Sequence, residues 1–251
     1  MSVACPPIRS IVRTVLRIAT SIFDRNLQQK LEQSSSRLAT QTGLPLYFLY
    51  FLLVIEDKRF GRHFGVDPIA ILRASIYNLG FAPKRPHGAS TLTQQIYSSR
   101  LREQSKYQPT IAYKFRQAMW ALRTTIIDTK AAVLKRYSES VYFGKRLYGF
   151  SEAARFYCGL SANQLGIADS FFLAERIARP NTVNIARLHA LISRKPIAHV
   201  LESDPTVAKR LADLYELHFH CGEVIRLCQA KHLKKLGVHM CLSSVAVSNE
   251  Q

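Results

Sequence analysis

The run Leu44 to Ile55, LPLYFLYFLLVI, constrains this chain more than any other stretch, because twelve almost wholly apolar residues admit few environments. It is too short to span a bilayer, which takes about 20 residues, and has the length of a helix buried on all sides. Burial in the core is the expectation. The run ends at an acid, Glu56, within IEDKRFGRHFGVD. If that stretch continues as a helix, Glu56, Phe60 and His63 recur at i, i+4 and i+7 on one face, with Asp57 beside them. A carboxylate emerging from an apolar run loses water and gains basicity, which suits a general base. The competing reading is of two solvated charges closing a core helix.

With 251 residues, 47% of them hydrophobic, the chain has material for one main domain. Its 35 Lys and Arg against 17 Asp and Glu leave a formal charge of +18. Such a surplus calls for an anionic partner: nucleic acid, an anionic membrane surface or a phosphorylated substrate. Nucleic acid is the least favoured of the three, since the basic run AKHLKKLG comes with no finger or glycine-aromatic recognition motif. The five cysteines, Cys5, Cys158, Cys221, Cys228 and Cys241, are odd in number and unevenly spread, unlike a disulfide framework. The order Cys221, Cys228, His232, Cys241 lacks the paired short gaps of zinc modules, so no protein-held metal is expected there. No run of about 18 apolar residues marks a membrane span.

Three segments are expected. Residues 1–43 form a basic N-terminal segment and linker, in which residues 8–23, IRSIVRTVLRIATSIF, read as an amphipathic helix with Arg9, Arg13 and Arg17 off its aliphatic stripe. That pattern suits a helix lying among lipid headgroups, an ordinary packed helix, or a targeting segment. Residues 44–200 form the main domain, and residues 201–251 a basic helical extension.

Within the main domain, Asp67 and Pro68 read as an N-cap and first helical position, with Gly80 as the stop. FAPKRPHGA reads as a basic loop, after which a helix restarts with Ser90 as its cap. Thr91, Thr93, Gln94 and Gln95 then surround a first turn whose free N–H groups attract anions. Thr110 opens a helix whose buried stripe is expected to be Ile111, Phe115, Met119, Leu122 and Ile126, with Lys114 and Gln117 on a neighbouring face. Arg116 and Arg123 default to a solvated face. Asp128 or Thr129 caps a further helix through Tyr137 that stops near Gly144. Ser151 to Tyr157 and Asp169 to Ile177 are two more, and the pattern weakens from Asn181 onward. Strand alternation is hard to find, so the class is mainly α.

Taken together, IEDKRFGRHFGVDPIAILRA, GASTLTQQ, YKFRQA and TKAAVLKRYSESVYFG resemble, in order and spacing, the motifs of the peptidoglycan glycosyltransferases, glycosyltransferase family 51. The resemblance covers about Leu44 to Pro180. It implies a lysozyme-like, mainly α-helical domain with a membrane-associated lobe, and an enzyme that polymerises lipid II by inverting transfer. Glu56 matches the base that takes the proton from the acceptor's 4-hydroxyl, whose oxygen attacks C1 of the donor sugar and expels undecaprenyl pyrophosphate. Asp57, Phe60 and His63 match residues that shape and orient that base. Ser90, Thr91, Thr93, Gln94 and Gln95 match the motif lining the cleft, and Lys114 and Arg116 would neutralise the diphosphate.

The resemblance further implies magnesium or manganese on the substrate diphosphate. Its implied partners are lipid II and undecaprenyl-linked glycan, an anionic membrane surface and other cell-wall synthesis proteins. The implied location is the outer face of the bacterial cytoplasmic (inner) membrane, in peripheral attachment, although the sequence shows no export route.

The sequence departs from the family pattern at identifiable places. Where the third motif reads Arg-Lys-x-x-Glu, this chain has Tyr113, Lys114, Phe115, Arg116 and Gln117, and a neutral amide at the second catalytic position carries no charge and exchanges no proton. Ser98 stands where a lysine follows TQQ, and Tyr137, Ser138, Glu139 replace Tyr-Leu-Asn. No transpeptidase domain or transmembrane anchor is expected within these residues. Two functions therefore compete: a divergent glycosyltransferase with Glu56 as base, or a degenerate member that binds lipid-linked saccharide or a cell-wall synthesis partner without turnover.

Overall fold

The computed structural model describes residues 27–78, 89–103 and 110–222. The N-terminal arginine helix, Gly80, the basic loop through His87, and the basic run with Cys228, His232 and Cys241 lie outside them. The described residues contain eleven α-helices, two short 3-10 turns and one small hairpin, and are mainly helical as expected. They fall into two compact units, the first ending at Asn181 and the second beginning at Thr182.

The apolar run is the core of the first unit. Helix α2 (Leu46–Glu56) buries every residue from Phe48 to Val54. Each large side chain taken out of water contributes roughly 1.5–3 kcal/mol, so seven in sequence make this segment a large source of the unit's hydrophobic stabilisation. It packs against α1 (Leu27–Thr42), which turns in Leu31, Ser35 and Leu38, and against α8 (Ile167–Arg176), which is buried from Ala168 to Arg176. Phe51 meets Phe171 edge-on at 5.3 Å, and Phe48 lies 4.1 Å from Phe150 at the start of α7 (Phe150–Cys158). Arg176, fully buried, is held by its neighbour Glu175.

Asp67 caps α3 (Pro68–Asn78) by accepting the N–H groups of Ile69 and Ala70, with Pro68 in first position as the sequence indicated. Its carboxylate also grips Arg59 through two hydrogen bonds of 2.9 and 3.1 Å. Helix α4 (Leu92–Glu103) begins after Thr91, which is its cap in place of Ser90. Thr91 Oγ1 accepts the N–H of Gln94, and the Gln94 side chain accepts the N–H of Thr91, a reciprocal arrangement that a serine one residue earlier does not reach.

Helix α5 (Ile111–Ile127) is capped by Thr110 as expected, yet its orientation reverses the expectation. Ile111, Phe115 and Ile126 are 91%, 66% and 78% exposed, Met119 is exposed as well, and Leu122 is only half-buried. The inward positions are Tyr113, Gln117, Ala121 and Thr124. The reason is steric and polar. A Cβ on Gly65, whose φ is +80°, would stand 2.2 Å from the Ala121 carbonyl oxygen, so only the small, polar side of α5 lets that turn approach so closely. The same side meets the polar residues of α4.

Thr129 caps α6 (Lys130–Ser140). This helix ends at Ser140, ahead of the predicted Gly144, because residues 142–148 form a hairpin, β1 (Tyr142–Gly144) antiparallel to β2 (Leu147–Tyr148), that patterning missed. In the second unit, where the sequence pattern weakened, the structure has α9 (Ile185–Ile192), α10 (Lys195–Leu201) and α11 (Pro205–Phe219), with Asn184 capping α9 and Asp204 capping α11.

Candidate active site

The site forms in the first unit where the end of α2 meets the start of α4, with α5 and α6 alongside. The stretch after Glu56 is not a continuing helix: α2 stops at Glu56, Asp57 turns out of it at φ −150°, and Phe60–Arg62 make a single 3-10 turn. The expected i, i+4, i+7 face is thus replaced by a turn that brings the same residues together. The break lets the Asp57 carboxylate reach inward. It accepts the backbone N–H of Leu92 at 3.1 Å, on the first turn of α4, where a negative charge is favoured by the helix dipole. His63 donates from Nε2 toward both Asp57 oxygens, at 2.9 and 3.1 Å, leaving Nδ1 buried without a hydrogen-bond partner.

Lys130, which the sequence reading passed over, completes this cluster from α6. Its Nζ donates to the His63 carbonyl at 2.6 Å and stands 4.4 Å from the centre of the Phe60 ring. Burial pushes the Lys130 ammonium below the ordinary lysine range, and the Asp57 charge opposes that shift. A signal for it existed: a cation in the first turn of a helix opposes the dipole and implies an acidic or carbonyl partner elsewhere. Phe60 and His63 meet edge to face at 6.2 Å, and both are buried, so they support the turn from within.

Glu56 is half-buried, and the Gln95 amide donates to its Oε2 at 2.8 Å. The Gln95 carbonyl oxygen accepts in turn from the Tyr137 hydroxyl, also at 2.8 Å. Tyr137 is only 2% exposed, and burial together with the Glu56 and Asp57 charges holds its phenol well above the usual range. Of the second motif, Gln95 and Ser90 reach the half-exposed side, whereas Thr91, Thr93 and Gln94 are buried. Thr91 and Gln94 cap the helix, and Thr91 Oγ1 donates to the Gly65 carbonyl at 2.6 Å. Thr93 Oγ1 is buried without a partner.

The third motif forms a neutral network. Gln117, 1% exposed, donates from Nε2 to the Gln94 carbonyl at 2.8 Å and to Ser98 Oγ at 2.5 Å. Tyr113 donates its hydroxyl to the same Ser98 oxygen at 2.9 Å. Lys114 donates to Gln117 Oε1 at 3.1 Å and to Ser90 Oγ at 3.3 Å, joining the third motif to the second. Arg116 lies on the exposed side of α5, outside this network. Three of the departures from the family pattern, Tyr113, Ser98 and Gln117, are therefore one hydrogen-bonded unit.

Such an arrangement offers a half-buried carboxylate with a fixed amide donor, and a lysine ammonium across from it held by neutral oxygens. Among the described residues no group of three or more His, Cys, Asp or Glu is placed to hold a metal ion.

The family model described as Transglycosylase matches residues 24–203. The chain is 28% identical over 199 residues to penicillin-binding protein 1A of Escherichia coli strain K12, a match covering 75% of this chain and 23% of that protein. Penicillin-binding protein 1A of Rickettsia felis is 30% identical over 155 residues, 61% of this chain and 19% of its own length. The protein of the same name from Neisseria gonorrhoeae is 32% identical over 133 residues, 53% of this chain and 16% of its own. The chain thus spans between 16% and 23% of the length of these relatives.

Proposed function

We propose, since this chain belongs to the peptidoglycan transglycosylases of glycosyltransferase family 51, that it polymerises lipid II with Glu56 as general base. The observation that carries the proposal is the Glu56 carboxylate, half-buried at the end of the core helix and oriented by Gln95. In this reading Glu56 takes the proton from the 4-hydroxyl of the acceptor N-acetylglucosamine as its oxygen attacks C1 of the donor N-acetylmuramic acid. The C1–oxygen bond to undecaprenyl pyrophosphate breaks with inversion, and the growing charge on the diphosphate meets Lys114. Ser90 and Gln95 face the sugars, Arg116 adds a second cation from the open side, and Asp57, Phe60 and His63 keep the turn in shape.

The residues at position 117 do not suit a protein-held divalent ion. Gln117 presents its carbonyl oxygen to Lys114 and its amide to Gln94 and Ser98. The proposed reaction uses no residue of this chain to hold magnesium or manganese, which would ride on the diphosphate alone.

A lysozyme-like domain with a membrane-associated lobe fits the exposed stripe Ile111, Phe115, Met119, Ile126 and Ile127 along α5. An apolar helix face flanked by Lys114, Arg116 and Arg123 is what a helix at an anionic lipid surface presents. No helix among the described residues is long and apolar enough to cross a membrane. The location that fits is peripheral, on the outer face of the cytoplasmic membrane where lipid II is consumed.

One observation favours a second reading, binding of lipid-linked saccharide or a cell-wall synthesis protein without turnover: the neutral Gln117 network removes the second carboxylate. Incubation of the full chain with lipid II in vesicles separates the two. Glycan chains that form with the wild type and vanish with Glu56→Gln support the enzyme. Binding without polymer, with magnesium or manganese present, overturns it.

A further inference from the structure

We infer that Tyr137 is a positioning residue that acts on Glu56 through Gln95, fixing which face of the Gln95 amide the base meets. This rests on the reading of Glu56 as the general base.

The polarity of the chain Tyr137–Gln95–Glu56 is determined from both ends. At one end an ionised Glu56 only accepts, so the Gln95 atom 2.8 Å from Glu56 Oε2 is the amide nitrogen. At the other end the Gln95 oxygen lies 2.8 Å from the Tyr137 hydroxyl, which donates to it. A buried phenol beside the Glu56 and Asp57 charges keeps its proton, so it remains a donor through the whole working range. The orientation of an amide is ordinarily an assignment between two nearly identical shapes. Here a flip would set the Gln95 carbonyl against the carboxylate and take from the buried Tyr137 hydroxyl the oxygen it donates to.

Tyr137 is held for this task by position. Helix α6 buries Val133, Leu134, Tyr137 and Ser138 on one face, and the tyrosine lies too deep to touch a substrate in the cleft. Its hydroxyl donates to Gln95, which in turn donates to Glu56, and that is the hydrogen-bonded route to the base. The consequence for Glu56 is electrostatic: an N–H donor fixed on one oxygen favours the ionised form and lowers proton affinity. It keeps the base ionised and sets the plane of its carboxylate. Among the described residues, Asp57 and His63 from the turn and Lys130 from α6 are held in the Asp57 cluster, Arg59 is held by Asp67, and Lys114 from α5 is held by Gln117 and Ser90.

The test is a titration of the Glu56 carboxyl by carbon NMR in the full chain labelled with carboxyl-enriched glutamate, with Glu56→Gln assigning the signal. Tyr137→Phe should raise the Glu56 pKa by about 0.5–1 unit, and Gln95→Leu by about 1–2 units. In the Gln95→Leu background, Tyr137→Phe should add nothing. In lipid II polymerisation the acid limb of the pH–rate profile should move upward in Tyr137→Phe, with kcat reduced about tenfold and KM for lipid II within about twofold. A Glu56 titration unchanged in Tyr137→Phe, or an equal effect of that change with Gln95 absent, overturns the positioning role. A wild-type chain that forms no polymer overturns the reading of Glu56 as base, while the titration still decides whether Tyr137 governs it.

Discussion

Two buried polar clusters lie side by side in the first unit and have opposite electrostatic character. The turn after α2 keeps ionisable side chains: Asp57 and His63 are buried, Lys130 is half-buried, and each contributes to a hydrogen bond within the cluster. The facing rows of α4 and α5 have no charge at their centre, where Tyr113, Ser98 and Gln117 satisfy one another as neutral groups. The comparison teaches that the third motif has not simply lost residues. A buried glutamate replaced alone would leave its cationic partners unmatched, whereas a tyrosine, serine and glutamine introduced together close a complete network. Lys114 survives at the boundary, its ammonium held by two neutral oxygens.

The largest effect expected from breaking the charged side is Glu56→Gln. Loss of a general base costs about 10²–10⁴-fold in rate, with the melting temperature nearly unchanged because the glutamine keeps the shape. Glycan chain length by gel electrophoresis and thermal unfolding measure the two readouts. Asp57→Asn should instead act on the fold. It weakens the bonds that the Asp57 carboxylate accepts from His63 and from the Leu92 N–H, and hydrogen bonds to a charged group are worth about 1.5–3 kcal/mol each. Urea unfolding with an unchanged slope but a lowered midpoint is the expected result. A stability close to wild type would show that the cluster is held by packing of Phe60 and not by charge.

The neutral side gives a smaller and more discriminating prediction. Gln117→Glu alone restores a carboxylate, and Lys114 keeps one oxygen of it, but the other oxygen then faces the Gln94 carbonyl where an N–H stood. Leaving that acceptor opposed is expected to cost about 1–3 kcal/mol, with no gain in polymerisation rate. The triple variant Gln117→Glu, Ser98→Lys, Tyr113→Arg should recover the stability and raise the rate above that of the single change. A rate gain from Gln117→Glu alone would mean that the three positions act independently.

The sequence was most legible where one physical effect dominated. The burial of Phe48 to Val54, the cap at Thr110 and the Asp67–Pro68 start of α3 each follow from local chemistry with no rival. Helix α5 was misread because periodicity defines a face without saying what covers it. Ile111, Phe115 and Ile126 form the stripe that the pattern shows, but Gly65 needs close approach to Ala121, and that distant requirement turned the stripe outward. At the site, the position of Glu56 at the end of the core helix is legible from the apolar run that precedes it. The roles of Lys130 and Tyr137 are not, since both depend on contacts across more than 40 residues of chain, Tyr137 to Gln95 and Lys130 to His63.

The smallest effect concerns alkaline stability, and it separates the clusters by the group that titrates. Tyr137 and Tyr157 are shifted upward mainly by burial, and Tyr50 is pushed up to about 12 by burial and by Glu32. Each phenol therefore holds its proton to higher pH in the folded chain than in the unfolded one. Their contribution to stability is whole below the ordinary tyrosine value of 10.0 and is lost as pH climbs through the folded values. Lys130 works in the other direction. Its lowered folded pKa makes the unfolded chain bind more protons between the folded value and the ordinary 10.5, so its share of stability rises with pH across that window. Wild type and Tyr137→Phe compared by denaturant unfolding from pH 8 to pH 11 should converge as pH rises, because only the wild type loses the Tyr137 share. Lys130→Met should fall more steeply than wild type, having lost a group that opposes the decline. Parallel curves for wild type and Tyr137→Phe would place the alkaline loss on Tyr50 and Tyr157, outside the network that orients Glu56.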